Sequence, residues 1–145
     1  MTYYAVIDTN VIVSAMFSAE SVPGTIVTEA MRGNIIPLIS EEIIAEYQDV
    51  LTRPKFRFDR GAVKDMVDTI VRRGIPIDAG PVKELLPDPK DVVFYQVVME
   101  ARSQDDMRDS YLVTGNTKHF PLRRFIVTPR QMLDIMIGEE GVTVD

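Results

Sequence analysis

The chain has no cysteine and a single histidine in 145 residues. Those absences exclude disulfide scaffolds, thiolate zinc sites and cysteine nucleophiles. A metal held here must take mainly oxygen ligands, which suit Mg²⁺ or Mn²⁺ better than softer ions. Long apolar runs are missing too: none approaches the roughly 18 residues of a membrane span. The Met1-Thr2-Tyr3-Tyr4 start carries neither the basic nor the apolar stretch of a signal peptide. A cytoplasmic protein with no membrane association is expected. Nor is there an excess of positive charge. The net charge of −6 argues against a general affinity for polyanions, which draws on many Lys and Arg contacts. A local affinity survives it, because acids gathered in a metal site would add to the deficit while bound cations reverse the local field.

What is present is a 46% apolar chain of a length suited to one core. One domain is expected over residues 1–138, followed by a C-terminal tail, 139–145, either loose or forming an edge strand. Strand-like and helix-like runs alternate, which favours an α/β sheet with helices on its faces. Strands are expected at residues 3–7, 35–39, 75–77, 111–114 and 125–127. Helices fill the intervals: Asn10 to Phe17, one opened by Pro23 and stopped at Gly33, one capped by Ser40 that runs to Leu51, and one capped by Asp59. The last of these places Val63, Met66, Val67, Ile70 and Val71 on its buried side. A further helix opens at Asp88-Pro89 and runs to Arg102. The final one starts at Thr128-Pro129 and ends at Gly138.

Chemistry is signalled first by Asp8, a carboxylate at the end of the apolar run Tyr3-Tyr4-Ala5-Val6-Ile7. In open α/β sheets ligands collect outside the carboxyl ends of the strands. Two further acids face inward by helical geometry. With about 100° per residue, Ile43, Ile44, Tyr47, Val50 and Leu51 form one face, and Glu46 lands against its edge. Glu41, Glu42, Gln48 and Asp49 lie on the solvated side. Asp91 shares a helix side with Tyr95 and Val98, opposite Gln96 and Glu100. Each acid has a plain structural role as well: Glu46 as a boundary side chain carrying its charge to water, Asp91 as a first-turn complement to the helix dipole, Asp88 as an N-cap. Buried acids with no basic partner would repel one another and lose solvation unless a cation joined them.

The residues resemble the PIN-domain family of metal-dependent ribonucleases, in particular its group of toxin components of toxin–antitoxin systems. The likeness spans about residues 3–137. Its pieces are Val6-Ile7-Asp8-Thr9-Asn10, Ser40 to Tyr47, Val50 to Phe56, Asp88-Pro89-Lys90-Asp91, Leu112-Val113-Thr114-Gly115-Asn116 and Val127-Thr128-Pro129-Arg130. The resemblance implies a three-layer α/β/α fold with a parallel sheet of about five strands in the order 3-2-1-4-5. It assigns Asp8, Glu46 and Asp91 as metal ligands for Mg²⁺ or Mn²⁺, and with Asn116 as the catalytic set. RNA is the implied substrate, a cognate antitoxin the implied protein partner, and a homodimer is compatible with it. The implied chemistry is phosphodiester hydrolysis without a covalent protein nucleophile.

One departure from the pattern concerns Asn116, where the family usually has aspartate. An amide can offer a carbonyl oxygen or orient a water, but brings no charge, so a second cation should bind more weakly. Asn116 reads equally as a turn residue after Gly115. Asp109 is a poor substitute, since at about 3.3 Å per residue the strand holds it beyond a coordination shell. Thr9, Asn10 and Lys118 are candidates for contact with substrate or, for Thr9 and Asn10, with a ligand acid; Thr9 and Asn10 also read as N-cap and first-turn residue. Arg53, Lys55, Arg57, Lys118, Arg123 and Arg124 are candidate contacts to an RNA backbone, or a solvated surface. His119-Phe120 either stacks on a base or packs locally. Two other readings compete: a PIN module that binds RNA or protein without cleavage, and a phosphatase-type hydrolase with Asp8 as nucleophile. The second lacks the usual following aspartate, since Asn10 stands two residues on.

Overall fold

Five short apolar runs become strands, the inner ones largely buried on both faces, as expected of a parallel sheet covered by helices. The computed structural model describes residues 2–139. In it β1 (Tyr3–Ile7), β2 (Ile35–Ile39), β3 (Ile75–Pro76), β4 (Tyr111–Val113) and β5 (Ile126–Val127) form one sheet in the order β3-β2-β1-β4-β5. All four pairings are parallel, and Ile7 stands opposite Val113 between β1 and β4. The chain builds outward from β1 through β2 to the edge strand β3. It then returns past β1 to add β4 and β5, so the connections leave β1 and β4 in opposite directions and open a crevice at their carboxyl ends.

Six helices flank this sheet in a three-layer α/β/α arrangement: α1 (Thr9–Phe17), α2 (Val22–Arg32), α3 (Glu41–Leu51), α4 (Arg60–Arg73), α5 (Val92–Arg102) and α6 (Pro129–Glu139). Helix α5 lies against β1, β2 and β4, and α2 packs on β2 with α1, α4 and α6 around it. Ser40 and Asp59 cap α3 and α4 as expected, and α2, expected to open at Pro23, is capped by Ser21. The hydroxyl of Ser21 accepts from Gly24 N–H at 3.1 Å, that of Ser40 from Ile43 N–H at 3.2 Å, and the carboxylate of Asp59 from Ala62 N–H at 2.9 Å. Gly33 ends α2 at φ 87°, a left-handed position that glycine takes without a Cβ penalty. No single helix among the described residues is long and apolar enough to cross a membrane.

Several expectations need correction. Val71 is 46% exposed rather than buried, because the α4 stripe that meets the core narrows to Val63, Val67 and Ile70. The segment after Asp88 does not open as α-helix: Pro89–Asp91 is a 3₁₀ turn, tightened by Asp88 accepting the Lys90 N–H at 2.9 Å, and α5 follows it. Helix α6 runs one residue past Gly138. The expected tail beyond Glu139 lies outside the described residues.

Gly24 is required by close approach. A Cβ there would lie 2.3 Å from the carbonyl oxygen of Ala19 and 2.5 Å from that of Ser18, both main-chain atoms that cannot swing away. Gly24→Ala is therefore expected to destabilise the protein by about 3 kcal/mol despite alanine's better helix propensity, read as a lower midpoint in urea with unchanged m. An unchanged midpoint would mean that the α1–α2 turn is free to move.

Candidate active site

Asp8 follows directly on β1, and its N–H extends the ladder to the Val113 carbonyl at 2.9 Å. It occupies the N-cap position of α1, yet its carboxylate does not cap the helix. Instead Oδ2 accepts from the Thr114 hydroxyl at 2.7 Å and from the Asn10 amide at 3.2 Å. The Asn10 carbonyl oxygen accepts the Gly115 N–H at 3.1 Å, and the Thr114 hydroxyl oxygen accepts the Asn116 N–H at 3.0 Å. The ends of β1 and β4 are thus laced together around one acid. The N-cap expected at Thr9 belongs to Asp8, because the helix begins at Thr9, one residue earlier than expected, while the strand ends at Ile7. Thr9 is the first helical residue, and its buried Oγ1 has no hydrogen-bond partner among the described residues. Asn10 is in the first turn, as expected, and bonds the acid with one end of its amide and the turn after β4 with the other.

Asp8 is only 5% exposed. Burial raises its pKa to about 6, the charges of Asp91 and Glu46 add to the rise, and the hydrogen bond from Thr114 opposes it. Both expected partners are therefore near enough to act on Asp8. Glu46 is half-buried on α3, between exposed Ala45 and fully buried Tyr47. The Tyr47 hydroxyl donates to the Ile7 carbonyl, which fixes α3 over the end of β1. Burial, with the charge of Asp8, holds the Tyr47 phenol well above its ordinary pKa, so it stays a neutral donor.

Asp91 stands where the 3₁₀ turn meets α5, half-buried and aligned with the buried Tyr95 and Val98 as the spacing implied. Its Oδ2 lies 3.2 Å from His119 Nδ1. Burial raises its pKa, Asp88 adds to this, and His119 pulls it down. Of the His119-Phe120 pair, Phe120 packs into the core, and His119 faces Asp91.

Asn116 is exposed and serves the turn: besides its N–H bond to Thr114, its carbonyl accepts the His119 N–H at 3.0 Å. Lys118 is exposed in the following 3₁₀ turn, Thr117–His119. Asp109 precedes β4 and is exposed at the strand's other end. Two of the candidate RNA contacts are engaged within the protein: Arg53 pairs with Asp49 at 2.9 Å and Arg123 with Glu84 at 3.4 Å, the same Glu84 oxygen accepting the Tyr95 hydroxyl at 2.7 Å.

Asp8, just past the carboxyl end of β1, thus feels the charges of both Asp91 and Glu46. No three His, Cys, Asp or Glu side chains among the described residues close into a metal-holding group. The donor chemistry nevertheless fits a hard divalent cation: the acids present only oxygen, and none of the ion pairs among the described residues involves Asp8 or Glu46. The unpartnered Thr9 hydroxyl lies beside Asp8 in sequence. Sequence reasoning missed Thr114 and the facing of His119 onto Asp91. The register of β1 on β4 sets positions 8 and 114 side by side, and only a paired sheet carries that signal.

A parallel α/β sheet with acids at the switch point between β1 and β4 defines a class of ligand-binding and hydrolytic proteins. The family model described as PIN domain matches residues 4–118, from β1 through the turn that carries Lys118. The chain belongs to the PIN-domain family, whose members are generally divalent-metal-dependent nucleases. No curated protein and no solved structure matches it.

Proposed function

We propose that the protein is a divalent-metal-dependent endoribonuclease, acting in the cytoplasm as the toxin of a toxin–antitoxin pair, with residues 1–138 as its nuclease domain. The observation that carries the reading is Asp8, a carboxylate buried at the switch point whose pKa is pushed up to about 6 by burial, with the charges of Asp91 and Glu46 adding to the rise. Asp8, Glu46 and Asp91 would hold Mg²⁺ or Mn²⁺. When bound, such an ion lowers the pKa of a water and stabilises negative charge developing at phosphorus. Thr114 and Asn10 hold the Asp8 carboxylate in one orientation, and His119 does the same for Asp91. Asn116 offers a neutral carbonyl oxygen to a water, while the exposed Lys118 binds the RNA chain; the buried Thr9 hydroxyl does not reach it. RNA is the substrate in this reading, an antitoxin the inhibiting partner, and a homodimer the assembly.

Cleavage of mixed single-stranded RNA is the direct test, run with Mn²⁺, with Mg²⁺ and with EDTA on the wild type and on Asp8→Asn. Cleavage should require the metal and fall by at least about a hundredfold in the variant, since second-site partners alone are worth about 10 to 100-fold. Activity that survives both EDTA and the substitution would sink the metal–acid mechanism. Growth arrest on expression, relieved by a neighbouring gene's product, tests the toxin role separately. A second reading, an RNA- or protein-binding PIN module that does not cleave, draws on Asn116, whose position carries no charge. No cleavage with any divalent metal would favour it.

A further inference from the structure

The segment after α3 is strongly basic within an acidic chain. Residues 53–60 carry Arg53, Lys55, Arg57 and Arg60 against the single acid Asp59, in a protein of net charge −6. Phenylalanines alternate with these cations, and the fold gathers their rings. Pro54–Phe56 is a 3₁₀ turn and Arg57 takes a left-handed φ of 57°, so the chain reverses between Phe56 and Phe58. Their rings then lie 5.4 Å apart and nearly parallel, at 12°. Phe17, at the end of α1, meets both, at 4.8 Å from Phe58 and 5.9 Å from Phe56. Phe56 and Phe58 are half-buried, whereas Phe17 remains 63% exposed. Lys55 holds its ammonium 5.1 Å from the centre of the Phe56 ring. The result is an aromatic ring presented to solvent, braced by two others and rimmed by cations. Helix α1 links it to the crevice, since Phe17 lies roughly 12 Å along that helix from Thr9.

We infer that Phe17, braced by Phe56 and Phe58, is a stacking platform for a base of single-stranded RNA outside the crevice, with Lys55 and Arg57 on the adjoining phosphates. A phenylalanine has no hydrogen-bonding atom, so such stacking is sequence-tolerant and requires an unpaired base. The cationic rim selects this occupant over a second copy of the chain. In a twofold interface the same patch would face itself and oppose like charges. The inference rests on RNA being the substrate of the crevice, and it places part of the binding where no acid is involved.

Binding of a fluorescent single-stranded RNA of about twelve nucleotides, measured by anisotropy in EDTA to suppress cleavage, tests it. Phe17→Ala and Phe17→Leu should each weaken binding about tenfold, whereas Phe17→Trp keeps it. Lys55→Gln and Arg57→Gln should each flatten the log–log salt dependence by about 0.7. Wild-type protein that fails to bind the RNA, or Phe17→Leu binding as wild type, would overturn the platform. So would a lower molar mass for Phe17→Ala in light scattering, which would make the patch an interface between copies. The two proposals fail separately. Cleavage by wild type with binding indifferent to Phe17 removes only the platform; Phe17-dependent binding without cleavage under any divalent metal leaves the platform and removes the nuclease.

Discussion

Asp8→Asn is expected to raise the thermal midpoint by roughly 6–12 °C at pH 7.5 in EDTA while abolishing cleavage. The carboxyl has a pKa near 3.8 when free and about 6 in the folded protein. The folded state therefore holds that proton more tightly than the unfolded chain, and stability falls as the pH rises from about 4 to 6. Above that window the loss is complete, about 3 kcal/mol for a shift of this size. At 2–4 °C per kcal/mol for a chain of about this length, that gives the expected rise. Asparagine keeps an oxygen to accept from Thr114 and Asn10 but never ionises, so it retains the advantage of the neutral form. The difference between the two proteins should shrink to almost nothing at pH 4. Added Mn²⁺ should raise the wild-type midpoint and leave that of the variant in place. A variant no more stable than wild type at pH 7.5, or a gap constant with pH, would show that Asp8 is solvated or already paired. The function would then be removed without the stored repulsion that the fold implies.

Thr114→Val should lower cleavage by about 10 to 100-fold without moving the backbone, because it removes the hydroxyl that donates to Asp8 and accepts from Asn116. The side chains have the same shape, so the loss is one of hydrogen bonding. A charge-assisted donor is taken from a buried carboxylate, at a cost of about 2 kcal/mol above pH 6. The sign of the titration follows. The bond from Thr114 lowers the Asp8 pKa, so its removal pushes that pKa up further and moves the pH window of lost stability toward alkaline values. Thr114→Ser should restore both cleavage and titration. Equal cleavage by Thr114→Val and wild type would mean that Asp8 needs no orientation from β4.

Most of the architecture was legible in the residues. Five apolar runs bounded by turn residues gave the strands, and Ser40, Asp59 and Gly33 mark helix ends by local chemistry that operates before any tertiary contact forms. The inward settings of Glu46 and Asp91 followed from helical spacing, because Tyr47, Tyr95 and Val98 fix the buried sides of their helices. The misreadings fall where longer-range contact decides. Nothing in the spacing of α4 distinguishes Val71 from Met66, and packing against α3 and β2 leaves Val71 outside. The 3₁₀ turn at Pro89–Asp91 depends on the Asp88 side chain taking the Lys90 N–H ahead of the helix. The start of α1 at Thr9 rather than Asn10 moved the cap position to Asp8, whose carboxylate bonds Thr114 instead of the helix N–H groups.

The sequence by itself determined the class of fold, the absence of thiolate metal ligands and the acids proposed for the site, since these depend on composition and on periodicities of a few residues. The tertiary structure decided what those acids experience. Asp8 owes its raised pKa to burial and to charges 38 and 83 positions away in the chain. Thr114 reaches it only because β4 pairs in register with β1. Three phenylalanines from α1 and the turn after α3 become one platform only when those elements pack. Electrostatic and stacking interactions depend on distance in space, and the fold alone sets that distance.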